Sequence, residues 1–589
     1  MSSQASEPNV ENAAGMLMAR ALVQALAAEN VQRAKAKRKA IAKPKARTNP
    51  EVTRNSKSKK KNMQSLKRSQ DSTRIPTSSE PTNSSAEESS PETKRIQAAA
   101  HVAKKPAKSV APARIPSGSD DGEGDSLSSN SSAAAGRDEH FAVELPLSSG
   151  VFDYMSWVVQ HVLTAAEKDS LQPKAATTIA IGSMCAGMAT EDIALRGIAN
   201  AMLQHENLNL HITHAFKAEA DKDNMIFLRR HSRESGTHFF DDNAALKDSF
   251  PHTVDGKQVE RPKCTVLLCG IVCKCISGLN TAKPKSERGD GSSGKALSGL
   301  LASLTAMPLE ERPKLIVLEC VARLGQKRSV DPDSRRGTDF ITDELLKLGY
   351  VGEWRRVTPT SFYLPQGRPR VYAMFLKRTD FSNHTLNARQ QDVKRGFAII
   401  LRMQLGQHEP LPRVLSRCSL PPPTCQRLTK TSCSRATKWP RQHQDYAEQK
   451  GILVADRLPS QEFQHAVGNV LPDRALHAFW LRLAHAKHRG LNWQTGTWVA
   501  TVGASPRFMS LRTDIFPCVT PKMTFGILRN GNFAVADGFT LLAMQGVQHK
   551  EVEAFFLDRE DPALLHDFAG NGFTANIVAA FLLAGFLVM

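Results

Sequence analysis

Five apolar runs punctuate the middle of the chain: TTIAIGSM at 177–184, LNLHITHAF at 208–216, CTVLLCGI at 264–271, KLIVLECV at 314–321 and RVYAMFLK at 370–377. Most are too uniformly apolar to be strands with one wet face, and they suit strands buried on both faces. Helix-like stretches fall between several of them, such as ATEDIALRGIANAMLQ at 189–204 and DFITDELLKLGY at 339–350. This alternation predicts an α/β fold, a parallel sheet with helices on both faces. Such sheets bind ligands at the carboxyl ends of their strands. Residues just beyond these runs are therefore the first place to look for chemistry.

The flanks read differently. Residues 1–140 are rich in Ser, Ala, Lys, Pro and Glu and poor in aromatics, so they are expected to form a disordered tail. Between Val31 and Arg74 stand sixteen Lys/Arg against two acids, which is most of the chain's formal net charge of +20. Such a block is usually a solvated arm; it also suits a polyanion, or nuclear import through Lys57–Lys61 and Lys35–Lys39. An acidic, serine-rich linker follows at Ser117–Ser132. The ten cysteines are scattered with no secretory signal, so reduced thiols are expected. Cys418, Cys425 and Cys433 are spaced too widely for paired zinc knuckles, and no metal is expected. The apolar run Ile577–Met589 falls short of the roughly 20 residues a membrane span needs. It predicts a buried terminal helix and no membrane partner. The resulting plan is a tail (1–140), an α/β domain (141–380), an irregular insertion or small second domain rich in Arg, Gln, Pro and His (381–509), and a return to order (510–589).

Several residues at strand ends invite a functional reading. The first run ends in a turn of small residues containing Cys185 and Gly187, where backbone can approach a ligand. Glu219 follows the second run, where a ribose diol finds its acceptor, although a solvated loop glutamate is the commonplace alternative. Asp242 follows next and is suited to an adenine amino group. No phosphate-binding pattern accompanies them, which favours S-adenosyl-L-methionine (AdoMet) over a dinucleotide. Gly289-x-x-x-x-Gly294-Lys295 matches most of a P-loop, but Ala296 stands where a magnesium-binding hydroxyl belongs, so it reads as a flexible Gly/Ser loop. Cys273, beside Lys274, follows the third run; a nearby cation favours the nucleophilic thiolate. Glu319 sits near the end of the fourth run, where a carboxyl needs a partner. Gln366-x-Arg368-x-Arg370 precedes the fifth.

In this order the residues resemble the cytosine-C5 DNA methyltransferases. That family's catalytic loop, Gly-x-Pro-Cys-Gln-x-x-Ser, corresponds to Gly270 through Cys273 to Ser277. Its Glu-Asn-Val motif corresponds to Glu319-Cys320-Val321, and its Gln-x-Arg-x-Arg motif is intact as Gln366, Arg368 and Arg370. Gln545-Gly546 and Gly570-Asn571 look like its late Gln-Gly and Gly-Asn segments, with Gly468-Asn469 a rival for the latter. The resemblance spans roughly 170–380 and 510–589. It implies an AdoMet-dependent methyltransferase (Rossmann-like) sheet, with 381–509 as a variable target-recognition region.

The resemblance further implies that Cys273 attacks C6 of a flipped cytosine, Glu319 holds the N3 edge and Arg368 binds O2. Ser277, Gln366 and Arg370 would shape the loop and substrate site. Cys185, Gly187, Glu219, Asp242 and Asn571 would hold AdoMet. DNA in the nucleus is the implied partner. RNA is an alternative target, and so is a catalytically weak chromatin-binding role. Val272 replaces the loop proline, Lys274 the glutamine and Cys320 the asparagine, and the cofactor turn lacks its glycine pair. These departures bear on efficiency more than on fold.

Overall fold

A computed structural model describes residues 147–589, except 233–235, 272–291, 327–335, 419–438, 468–469, 522 and 556. The tail 1–140 and Cys273 and Ser277 lie outside the described residues.

All five apolar runs form strands: β1 (Ile179–Met184), β2 (Ile212–Ala218), β4 (Val266–Gly270), β5 (Leu315–Val321) and β7 (Arg370–Lys377). Two more complete the sheet, β3 (His238–Phe240) and β6 (Tyr350–Val357), in the order β3-β2-β1-β4-β5-β7-β6. The alternation predicted a parallel sheet, and one correction is needed. β7 runs antiparallel to both β5 and β6. The link from β6 to β7 holds only a short 3-10 turn, Pro359–Phe362. The link holds no α-helix to carry the chain back across a face of the sheet, and the strand returns antiparallel.

Helices cover the sheet because their apolar residues recur on one face. In Thr190–Glu206, Ile193, Ala194, Ile198, Ala201 and Met202 are buried. Every residue of the terminal helix Ala575–Val588 is buried, as its apolar sequence requires. Each such Leu, Val or Phe side chain contributes about 1.5–3 kcal/mol by leaving water. No single helix among the described residues is long and apolar enough to cross a membrane. The P-loop-like segment also differs from its expected loop. Gly294 and Lys295 lie inside the helix Ser292–Ala306, which Leu297, Leu300 and Leu304 anchor at helical spacing in the core.

Between the sheet and the chain end, the helix Asn383–Arg402 packs its Val393, Phe397 and Ile400 into the main core. That segment, expected in the insertion, therefore belongs with the large sheet. A second core is built by Asp473–Lys487 and neighbouring helices against a four-stranded antiparallel sheet, β11-β10-β8-β9, with β8 (Thr497–Val502), β9 (Leu511–Arg512), β10 (Thr524–Arg529) and β11 (Asn532–Val535). This small sheet straddles the border expected near 509/510, because β8 pairs with strands on the far side of it.

Candidate active site

The site lies where β1, β2, β4 and β5 end. After β1 the chain makes a tight turn with left-handed backbone at Cys185, Gly187 and Ala189. At Gly187 an added Cβ would meet open space, so glycine here serves backbone shape and access rather than packing. Glu219, at the tip of β2, accepts from the Gly187 N–H through Oε2 and from the Asp221 N–H through Oε1, both at 2.9 Å. A carboxylate has about four acceptor positions, so room remains on each oxygen. Open space over Gly187 and unspent acceptor capacity at Glu219 fit a cofactor with a ribose diol. Asp242 is exposed and caps its own turn, Oδ1 accepting from the Ala244 N–H at 2.9 Å. Its neighbour Asn243, which sequence reasoning passed over, is buried and donates to the Cys185 Sγ at 3.3 Å.

Beneath the turn sits a charge cluster that sequence reasoning also missed. Lys217 is buried at the end of β2 and hydrogen-bonds Asp192, and His214 Nε2 lies 3.3 Å from the same carboxyl. Burial pushes the Asp192 carboxyl up, but His214 and Lys217 outweigh it and hold it below its usual range. Glu191 is fully buried next to this group. Burial, then the Asp192 charge, pushes its carboxyl up to about 7. The available signal was Lys217 itself, a charge directly after the second run.

On the other side, the Ile271 N–H donates to the Glu319 carbonyl at 2.9 Å, tying the end of β4 to β5. The Glu319 carboxyl takes Arg370 as its partner, Oε1 to Nε 3.0 Å. Burial raises the Glu319 carboxyl above its usual range; Arg370 and then Arg368 oppose that without cancelling it. Arg368, expected to bind the pyrimidine O2, is tied to backbone carbonyls. It is 4% exposed, and its guanidinium donates to the Val519 carbonyl, to Gly570 O at 3.1 Å and to Gly572 O at 3.1 Å. A guanidinium with both terminal nitrogens so engaged has little left for a pyrimidine oxygen. Arg370, expected only to shape the loop, is the arginine at the glutamate.

Gln366 is buried, its backbone bridging Phe516 in the segment between β9 and β10. The late motifs close the site. Gln545 donates to Ala569 O at 2.8 Å and accepts from the Thr574 hydroxyl at 3.0 Å, gripping both sides of the turn after Pro562–Asn571. Asn571 is exposed at that turn, and the adjoining Gly572 lies against Thr190 and Met188 of the cofactor turn. Gly570 is fitted so closely to Pro521 that an added Cβ would lie 2.2 Å from its nitrogen. Phe573 packs on Gly270 at the end of β4, a contact that sequence reasoning did not foresee. Gly468-Asn469, the rival segment, falls outside the described residues.

No family model matches the chain. It is 22% identical over 427 residues to DNA (cytosine-5-)-methyltransferase DMT5 of Cryptococcus neoformans var. grubii, a match covering 69% of this chain and 17% of that protein. Similar solved structures include the Dnmt2 methyltransferase of S. pombe, with 9% identity, TM-score 0.35, and coverage of 69% of this chain and 97% of that one. The Entamoeba histolytica methyltransferase EhMeth has 11% identity, TM-score 0.35, and coverage of 70% and 98%. The sheet order with its reversed β7 is that of the AdoMet-dependent methyltransferase fold. Within that class the chain is similar to a DNA cytosine-5-methyltransferase, and it spans about a sixth of that relative's length.

Proposed function

We propose that the chain transfers a methyl group from AdoMet to C5 of cytosine in DNA, through a covalent bond between the Cys273 sulfur and C6 of a flipped base. The observation that carries this reading is the placement of two pairs at the same end of the sheet, with β1 and β4 between them. One is Glu219 on the Gly187 backbone, 2.9 Å; the other is Glu319 with Arg370, 3.0 Å. Ile271, bonded to the Glu319 carbonyl, precedes Cys273 by two residues in the chain.

Cytosine C5 is a poor nucleophile until a thiolate adds at C6. Cys273 supplies that thiolate. Glu319, its carboxyl raised by burial, is suited to share a proton with N3 as charge develops on the ring. Arg370 fixes the orientation of that carboxyl. Arg368 acts at one remove, holding the Gly570–Gly572 turn beside the cofactor turn. Gly187, Glu219, Asp242 and Asn571 would hold AdoMet, which when bound supplies the methyl group. Loss of the C5 proton then expels the Cys273 thiolate and restores the ring. Flipping the base costs a few kcal/mol, and the basic arm between Val31 and Arg74 contributes phosphate contacts that offset part of it. A nuclear location follows from the same arm.

A second reading, a DNA-binding protein that keeps the fold with little activity, is favoured by Val272, Lys274 and Cys320. Cys320 is fully buried and so does not replace the polar asparagine it stands for. Labelled AdoMet, duplex DNA and RNA, with wild type compared to Cys273→Ser, separate the readings. The expected result is 5-methylcytosine in DNA by mass spectrometry, lost in the variant, and a covalent trap on 5-fluorocytosine DNA. Trapping on RNA alone would make the target RNA. Absence of product and trap on both would leave the binding role.

A further inference from the structure

At the edge of the sheet opposite the cofactor turn, where β5 begins and β7 ends, lies an open cavity of about 520 Å³. Lys314, Lys377, Arg378 and Arg389 line it, with Glu310 as the facing acid. Strand pairing creates this concentration of charge. The Lys377 N–H donates to the Lys314 carbonyl at 2.9 Å, so the two lysines emerge side by side. Arg378 is 6% exposed and lies over the Phe381 ring at 5.4 Å. One terminal nitrogen donates to Ser382 O at 2.7 Å, while its Nε is buried with no hydrogen-bond partner among the described residues. Arg389 is paired with Asp392 at 3.0 Å, but Asp392 also serves Arg395 at 3.5 Å.

The cations therefore outnumber the acids in a partly desolvated place. Their mutual repulsion registers on Lys377. Burial first, and then the Lys314 charge, hold Lys377 below its usual range. Burial, then Arg395 and Lys314, do the same to the nearby Lys174. A buried donor without a partner and crowded like charges both call for an anion. Guanidinium forks and ammonium groups together suit phosphate oxygens. The volume falls within the roughly 300–1,000 Å³ of small-molecule sites, and a concave recess fits a compact ligand better than the outer face of a duplex. Lys314, immediately before β5, and Glu319 stand five residues apart, which at ~3.3 Å each separates them by roughly 17 Å.

We propose that this cavity binds a small, multiply charged phosphate compound, at a site separate from those for cofactor and target base.

The probe is inorganic tripolyphosphate, added to the full chain and followed by calorimetry. The double variant Lys314→Ala/Arg389→Ala should weaken binding at least tenfold. Removing charge from the arm instead, as Lys59→Ala/Lys60→Ala/Lys61→Ala, should change this site's affinity less than twofold. In the wild type, tripolyphosphate should also shield Lys314 and Lys377 from amine acylation, read by mass spectrometry. This second readout stands even if the double variant folds poorly. Equal loss in the arm variant without shielding of Lys314 and Lys377 would overturn the proposal. So would stronger shielding of those lysines by a short DNA duplex than by tripolyphosphate, which would assign the surface to nucleic acid.

Discussion

Arg370 Nε stands 3.0 Å from Glu319 Oε1, so a single β5–β7 pairing brings the family's glutamate and the last arginine of its Gln-x-Arg-x-Arg motif into one ion pair. Both side chains are largely buried, at 11% and 14% exposure.

That pair predicts a pH effect. A cation beside a carboxylate favours its charged form, so Arg370→Leu should raise the Glu319 carboxyl further above its usual range. The ionisation of kcat/KM that belongs to Glu319 should move to higher pH, and Arg370→Lys should hold it near the wild-type position. Removing one partner of a largely buried pair should also cost about 3 kcal/mol of stability. A profile that does not move in Arg370→Leu would separate Glu319 from the chemistry.

Arg368 should behave as a structural residue. Its guanidinium serves the carbonyls of Val519, Gly570 and Gly572, so Arg368→Ala strands buried acceptors. The stability measured by urea unfolding should fall by about 3 kcal/mol or more. Cys273→Ser, by contrast, should stay within about 0.5 kcal/mol of wild type while losing transfer. Equal stability of the two variants would contradict this division.

Glu219 should be required for cofactor binding. Hydrogen bonds to a charged group are worth about 1.5–3 kcal/mol, so Glu219→Ala should weaken AdoMet roughly 10- to 100-fold, measured by calorimetry. An unchanged Kd would remove Glu219 from the cofactor site.

Glu191 sets a pH dependence of stability. Its carboxyl is pushed up to about 7 in the folded chain, above its unfolded value of about 4.3. The unfolded chain therefore releases its proton first, and stability falls as pH rises from about 4.5 to about 7. Glu191→Gln removes that loss. The variant should match wild type near pH 4 and exceed it at pH 8, by up to ~4 kcal/mol at 1.36 kcal/mol per pKa unit. A constant difference in Tm across that range would refute the assignment.

The arm should act on DNA alone. Deleting residues 1–140 should flatten the dependence of log K on log salt, by about 0.9 for each phosphate the arm neutralises. AdoMet affinity should stay unchanged, and its loss would contradict the domain plan.

Five strands were legible because β1, β2, β4, β5 and β7 carry apolar runs, a pattern that follows from burial on both faces in all but β2, whose first half is partly exposed. β3 was not, since its three residues give no period. β6 was not, because as an edge strand it keeps Glu353, Arg355 and Arg356 out of the core and continues from the preceding helix without a break in composition. The second sheet escaped notice because its short strands lie in a region of mixed polarity. At the site, Glu219 and Glu319 were readable as acids at strand ends. The Lys217–Asp192 contact joins residues from a strand and a helix, and nothing local to either announces the other.

Residue types and their order along the chain determined the class of chemistry: a thiol, a carboxyl and two arginines, each at or near the end of an apolar run, with an acid after the second. Those properties are local, because strand burial and motif spacing are written in consecutive residues. Which arginine meets Glu319, that Arg368 instead holds the Gly570–Gly572 turn, and that Lys314, Lys377 and Arg378 crowd one cavity were decided only by tertiary structure. Each depends on the register and direction with which β7 pairs to β5 and on where the last helices pack, and those are set by the whole core at once.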